Sequence, residues 1–325
     1  MNYLFFVNIH FTYNFMFSVP KEDPKYHHQT ELCDVSDADF KKSYEAPVFT
    51  LKDRIIQVIL FIVGFGWLRL LLLIPIFIIY LIISAPFLLL YRSPIYVTLG
   101  NILIYITKFF IRIISFLLGV VYIKKNGKID KKTRQFSYNH LSCLDGPLVY
   151  LFQTFTIVTH SGMKTVPIFN RILMIVDSIF VDRSKSSGTS QLFVECLNNE
   201  KNRPLALAPE GKISDGSLIY KFRTGGFLTD FQFQPVAIRY HNILGFAGVT
   251  LNWTTDTIFE FLWLALALPA CVLEITFLPP FTEEEIKGKT PDEKATMAQL
   301  AIGNYLGVKA VNRSSKEIFQ KKKDE

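Results

Sequence analysis

Cysteine is scarce in this chain of 325 residues: Cys33, Cys143, Cys196 and Cys271 are its four, and they lie far apart. None shares the close spacing of a metal-ligating pair, and nothing requires them to form disulfides. A reducing, cytosolic exposure is the simpler expectation. The net charge is +7, yet no block of lysine and arginine interleaved with aromatics is present. That absence excludes a nucleic-acid platform and leaves an anionic membrane surface as the expected partner of the charge. No G-x-S-x-G elbow occurs, which argues against a lipid hydrolase with a serine nucleophile. The first 19 residues are apolar but broken by Asn2, Asn8, His10 and Asn14. They have neither the basic start nor the small-residue cleavage site of a secretory signal. No internal repeat is visible.

Apolar residues are abundant instead, half of the chain with 30 phenylalanines, and they are unevenly spread. The length suffices for one large domain or two small ones. Residues 70–91 run for 22 positions without a charge, enough for a helix to cross a hydrocarbon layer of ~30 Å. The apolar stretch before them, residues 55–68, ends at Arg69, so the two together suggest a re-entrant hairpin. Residues 102–123 carry Lys108 and Arg112 four apart on one helical face. This spacing suits either an interfacial helix with snorkelling cations or a core helix of the globular part. Lys41, Lys42, Lys52 and Arg54 precede the apolar block and Lys124, Lys125 and Lys128 follow it, so a hairpin with both flanks in the cytosol satisfies the positive-inside rule.

From about residue 119 short β-rich runs alternate with helical stretches. VVYI, QFSYN, FTIVTH, SIFVD, PLALAP, QPVAIRY and VLEITFL are the strand candidates; VPIFNRILMIV, GTSQLFVECLNNE and, with a proline at its start, PDEKATMAQLAIGNYLGV are the helical ones. Met297, Leu300, Ile302 and Leu306 form the apolar stripe expected to dock the last of these. The pattern predicts an α/β domain with a mixed, largely buried sheet. Four segments are expected: residues 1–53, an apolar start and polar linker; 54–118, a membrane-embedded hairpin and interfacial helix; 119–310, the α/β domain; and 311–325, a basic tail. Residues 20–50 within the first read as an exposed linker.

Functional groups of such sheets gather where strands end. Four clusters stand there. In NHLSCLD, His140 and Asp145 are five apart across a turn; Asp145 reads either as the N-cap of the next helix or as the partner that fixes the imidazole tautomer and leaves its other nitrogen as a base. Ser142 and Cys143 between them read as turn or packing residues. SIFVDR ends in Asp182 and Arg183, with Lys185 beyond; an arginine at a strand end holds a phosphate or simply faces solvent. LALAPEGK ends a strand in Glu210, Gly211 and Lys212, followed by Lys221, Arg223, Gly225 and Gly226, a mixture suited to a polyol phosphate or to an ordinary charged loop. QPVAI is a buried strand with Pro235 near its start.

In order and separation these clusters resemble the four motif blocks of the PlsC-like glycerophospholipid acyltransferases: NHLSCLD resembles N-H-x-x-x-x-D, FVDR resembles F-I-x-R, APEGKI partly matches F-P-E-G-T-R, and QPVAI matches the apolar strand with a proline. The resemblance spans about residues 119–310. It implies that His140 is the general base that takes a proton from a glycerol hydroxyl attacking an acyl-CoA thioester, and that Asp145 orients it. It implies that Arg183, Glu210 and Gly211 hold the glycerol phosphate of a lysophospholipid, with no metal, no cofactor beyond acyl-CoA as co-substrate, and no covalent acyl-enzyme. Lys212 and Ile213 stand where the third block usually has threonine and arginine, so Lys212, Lys221 or Arg223 must take over that arginine's phosphate contact. This departure resembles the lysophosphatidylcholine acyltransferase branch and its relative, the ancient ubiquitous protein, a hairpin-anchored adaptor of endoplasmic reticulum and lipid droplets. An inactive adaptor at those membranes is therefore the second expectation, although the ubiquitin-binding extension of such adaptors is not seen. The ending KKKDE, with Lys322 and Lys323, resembles a dilysine retrieval signal, which implies the endoplasmic reticulum, a site facing the cytosol and the COPI coat as a partner.

Overall fold

The computed structural model describes residues 28–89, 94–165, 170, 173–175, 177–181 and 188–318. The first 19 residues, Asp182, Arg183, Lys185, the KKKDE ending and most of VPIFNRILMIV lie outside them.

All seven strand candidates are strands of one sheet: β1 (Val120–Asn126), β2 (Gln135–Tyr138), β3 (Thr156–His160), β4 (Ile179–Val181), β5 (Leu205–Leu207), β7 (Phe233–Ile243) and β8 (Ala270–Phe277), in the order β1-β8-β7-β2-β5-β3-β4. Two short strands, β6 (Leu218–Ile219) and β9 (Lys309–Ala310), pair apart from it. From β7 through β4 neighbours run parallel, β8 is antiparallel to β7, and β1 is parallel to β8. The sheet is thus mixed, as expected. Every residue of β2 and β5 is buried, the continuous burial of strands covered on both faces.

Helices α1 (Asp37–Lys42), α2 (Leu51–Val63), α3 (Gly66–Leu89) and α4 (Pro94–Leu117) precede the sheet; α5 (Asp145–Tyr150), α6 (Thr189–Asn198), α7 (Ile258–Ala267), α8 (Glu283–Ile286) and α9 (Pro291–Leu306) are set among its strands and after them. Two of them contain stretches long and apolar enough to cross a membrane, Gly66–Pro86 and Gly100–Leu117. Helix α3 contacts α2 before it and packs more extensively on α4: Tyr80 of α3 packs on Phe110 with ring centroids 5.1 Å apart, and its hydroxyl meets the Thr107 hydroxyl at 3.3 Å. Arg69, beside the turn between α2 and α3, donates to the carbonyls of Leu266 and Leu268 at 2.5 and 2.8 Å. It thereby occupies the carbonyls left open at the end of α7. On α4, Leu103, Phe110, Ile111, Ile114 and Leu117 join the main core while Ile102, Tyr105, Phe109 and Phe116 stay exposed. The helix is core on one face and apolar surface on the other, and Lys108 lies over the Tyr150 ring of α5, 5.2 Å from its centroid.

Two segments differ from expectation. Residues 28–50 are not an exposed linker throughout. Cys33 pairs with Val311 as a β-bridge, Gln29 accepts from the Ala310 amide at 2.8 Å, and Phe40 is buried with Tyr220, Val311 and Ile318. The basic tail likewise begins inside the fold, since Val311, Ser315 and Ile318 are buried. The docking helix α9 starts as expected, with Pro291 in its first turn and a Thr290–Glu293 capping box. Its buried stripe is Ala295, Ala298, Ile302 and Leu306. Gln299 is buried there too because its amide donates to the carbonyls of Ile219 and Val311, each at 3.0 Å.

Candidate active site

Strand β2 ends at Tyr138, and the next residue bolts its end to β7: Asn139 donates to the Ile238 carbonyl at 3.0 Å and accepts the Ile238 amide at 2.8 Å. The turn that follows folds back on itself, so His140 Nδ1 stands 3.0 Å from Asp145 Oδ2. Asp145 is the first residue of α5, not its N-cap; Leu144 holds that position and makes no side-chain cap bond. Its carboxylate faces backward over the turn. Oδ2 also accepts the amides of Leu141 and Ser142 at 2.7 and 2.8 Å, and Oδ1 accepts the Tyr240 hydroxyl at 2.8 Å. Asp145 is fully buried while the His140 side chain keeps 22% of its surface. A buried carboxylate with this many donors is held in one orientation. Burial and the Asp145 charge push the Tyr240 phenol well above its ordinary value, so it stays protonated and donates. The same two causes push the Cys143 thiol up to about 12, which leaves it a poor nucleophile. Nε2 of His140 has no protein partner among the described residues.

Glu210, expected to hold the acceptor's glycerol phosphate, is turned inward at the end of β5. Its side chain is fully buried; Oε1 accepts the His140 amide at 2.8 Å and Oε2 accepts the Tyr220 amide at 2.9 Å. Burial pushes its carboxyl up to about 8, against the pull of those two amides. With one amide on each oxygen, Glu210 ties the backbone of the histidine to that of Tyr220. Ser315, from the segment expected to be a tail, donates to the Glu210 carbonyl at 2.6 Å and accepts from Arg223 at 3.1 Å.

Gly211 has φ +71°, and a Cβ there would come within 2.5 Å of Arg223 Nε. Glycine is required both for the left-handed backbone and for the guanidinium packed on it. The Arg223 Nε is buried without a partner. Lys212 lies over the Tyr44 ring, 5.5 Å from its centroid, and Lys221 pairs with Asp292 of α9 at 3.6 Å. The structure therefore gathers His140, Asp145, Glu210, Gly211 and Arg223 at the ends of β2 and β5, turns Lys212 and Lys221 toward other partners, and does not describe Arg183. Sequence reasoning gave no role to Asn139, Tyr240 and Ser315. Asn139 opens the NHLSCLD block, and Tyr240 falls in phase with the buried Val236 and Ile238 of β7; Ser315 left no signal.

Residues 136–239 match the model of the Acyltransferase family. Lysophosphatidylcholine acyltransferase 1 of Danio rerio is 26% identical over 163 residues, 49% of this chain and 31% of that protein. Lysophospholipid acyltransferase LPCAT4 of Mus musculus is 24% identical over 206 residues, 61% and 39% respectively. The chain thus spans well under half the length of these curated relatives. The crystal structure of the 1-acyl-sn-glycerophosphate (LPA) acyltransferase PlsC from Thermotoga maritima superposes with a TM-score of 0.54 at 13% identity, over 78% of this chain and 96% of that one; this likeness speaks to fold. The matching domain, the similar relatives and the shared fold together support an acyltransferase domain in this chain that is similar to the PlsC-like glycerophospholipid acyltransferases.

Proposed function

We propose that the protein transfers a fatty acyl group from acyl-CoA to the free hydroxyl of a lysophospholipid, with His140 as general base. The observation that carries this reading is the His140–Asp145 pair, in which a fully buried carboxylate holds Nδ1 and the partly exposed ring leaves Nε2 without a protein partner. The Asp145 carboxylate keeps the proton on Nδ1, so Nε2 is the basic nitrogen. The glycerol hydroxyl gives its proton to Nε2 as its oxygen attacks the thioester carbonyl. The tetrahedral intermediate then collapses with cleavage of the C–S bond, and the departing CoA thiolate takes the proton back from the imidazolium. Asp145 offsets the positive charge that the ring carries in between.

Arg223 is the cation best placed for the acceptor's phosphate, because its buried Nε lacks a protein acceptor; Arg183 is proposed to share that role, as is Lys212. A phosphate oxygen on Nε would remove the cost of leaving that donor unpaired. The apolar surface of α3 and α4 supplies the membrane setting in which a lysophospholipid is met. We place the reaction at the endoplasmic reticulum membrane, with the site facing cytosolic acyl-CoA and lipid droplets as a second location.

The test is acyl transfer from labelled oleoyl-CoA in membranes expressing the protein, across lysophospholipids that differ in headgroup. Product that depends on one acceptor class supports the reading and names that class. Release of free fatty acid with no acceptor-dependent product, from well-expressed protein, would overturn it.

A further inference from the structure

The hairpin between β7 and the segment leading to α7 exposes what such a turn ordinarily hides. Leu244 and Phe246 are 48% and 59% exposed, and Phe259 in the first turn of α7 is 80% exposed. The backbone there is held in a costly conformation: Leu244 and Ala247 have φ of 57° and 50°, a region that a bulky L-residue enters only against its own sterics. Strain at an exposed turn persists only where neighbours enforce it, and here they do. Gln57 of α2, fully buried, donates to the Ala247 carbonyl at 2.8 Å while its own oxygen accepts from Trp263 at 3.0 Å and Arg54 at 3.1 Å. Gly248 lies so close to Phe49 that a Cβ would meet its ring at 2.4 Å. The loop is thus a rigid object clamped to α2, with its apolar side chains turned outward.

The elements that carry this apolar surface, the loop and α7, both pack against α2, which has exposed apolar residues of its own. Along α2, Ile55, Ile59 and Ile62 are exposed, and they lead to Phe65 and Trp67 at the entry to α3. At the other end of α2, Arg54 pairs with Glu260 of α7 at 2.6 Å. Apolar and aromatic tips ringed by a charged pair suit the headgroup boundary of a bilayer, where such groups bury to a depth of ~5–10 Å. We infer that Leu244, Phe246 and Phe259 form a second, shallow contact of the α/β domain with the phospholipid bilayer, beside the membrane helices. Val249 and Leu251 are buried directly after the loop, and the Trp253 amide donates to the Leu141 carbonyl at 2.8 Å, next to His140. A contact so connected sets the height of the His140 turn above the lipid. It goes beyond the proposed activity and stands or falls without it.

The experiment uses the full chain in phosphatidylcholine vesicles and reads tryptophan emission added over wild type by F246W and, separately, by F259W, both at exposed positions that accept the larger ring. The result expected is blue-shifted emission, protected from aqueous iodide and quenched several-fold more by phosphatidylcholine brominated near the headgroup end of its acyl chain than by lipid brominated near the chain terminus. Emission quenched by iodide as freely as that of a model indole in water, and indifferent to either brominated lipid, would overturn the inference. Protection from iodide without any bromolipid quenching would overturn it as well, and would point to a protein covering that face.

Discussion

Asp145 serves four donors or partners at once, and that is why its neighbourhood decides the chemistry. Replacing it with asparagine leaves a side chain of the same shape without the charge; with its oxygen kept on the turn amides and His140 Nδ1, its NH2 group opposes the Tyr240 hydroxyl. The fold should survive, and the rate of acyl transfer should fall by ~10²–10⁴, the usual worth of an oriented acid–base group. A steady-state assay beside a circular dichroism spectrum checks both halves. Tyr240→Phe deletes one donor to a buried carboxylate, which costs about 1–3 kcal/mol; thermal melting should detect it, with a smaller loss of rate than for Asp145→Asn. Glu210 adds a pH signature. Its carboxyl is raised from 4.5 to about 8 by burial, so between those values the folded protein holds a proton that the unfolded chain releases. Stability must therefore fall as pH rises from about 4.5 to about 8. Melting temperatures across that range should show the decline in wild type and a shallower one in Glu210→Gln. The pair itself was legible in the spacing once a turn was placed between its members. The inward turn of Glu210 was not, because a carboxylate beside glycines and cations reads as a ligand site. Its burial depends on amides at His140 and Tyr220 that lie far away in sequence.

At the scale of elements, each strand of the large sheet was readable from its β-branched and apolar run, since strands covered on both faces need little else to declare themselves. The two short strands β6 and β9 carry no such run and pair only because α9 docks beside them. How the N-terminal helices pack was not fully legible for a physical reason: hydropathy shows which segments avoid water but not which neighbour they choose. The choice is made by Tyr80 against Thr107 and Phe110, and by Arg69 reaching the end of α7. Arg69→Leu should leave the carbonyls of Leu266 and Leu268 without that donor and loosen α3 from the α/β domain, seen as faster proteolysis near the junction of α2 and α3. Gly211→Ala is a sharper test of the loop after β5. Its Cβ would need both a left-handed backbone and displacement of Arg223, so the variant should lose affinity for a phosphate-bearing acceptor, read as a higher KM, more than it loses kcat.

For the whole molecule, five parallel strands end side by side, and the turn after β2 and the loop after β5 meet there. The N-terminal segment and the residues after β9 close around the same loop through Tyr44, Ser43 and Ser315, a contact that composition alone could not show because each segment is polar when read by itself. The membrane helices pack on the opposite end of α7 and carry the apolar surface. The proposed account is thus an acid–base pair fixed on a buried sheet and held beside lipid. The most direct test of that account is acyl transfer by His140→Ala against wild type, in membranes matched for the amount of folded protein, with the acceptor that wild type prefers. The account predicts acceptor-dependent product from wild type and a loss of ~10²–10⁴ in the variant. Equal rates from the two proteins would contradict it.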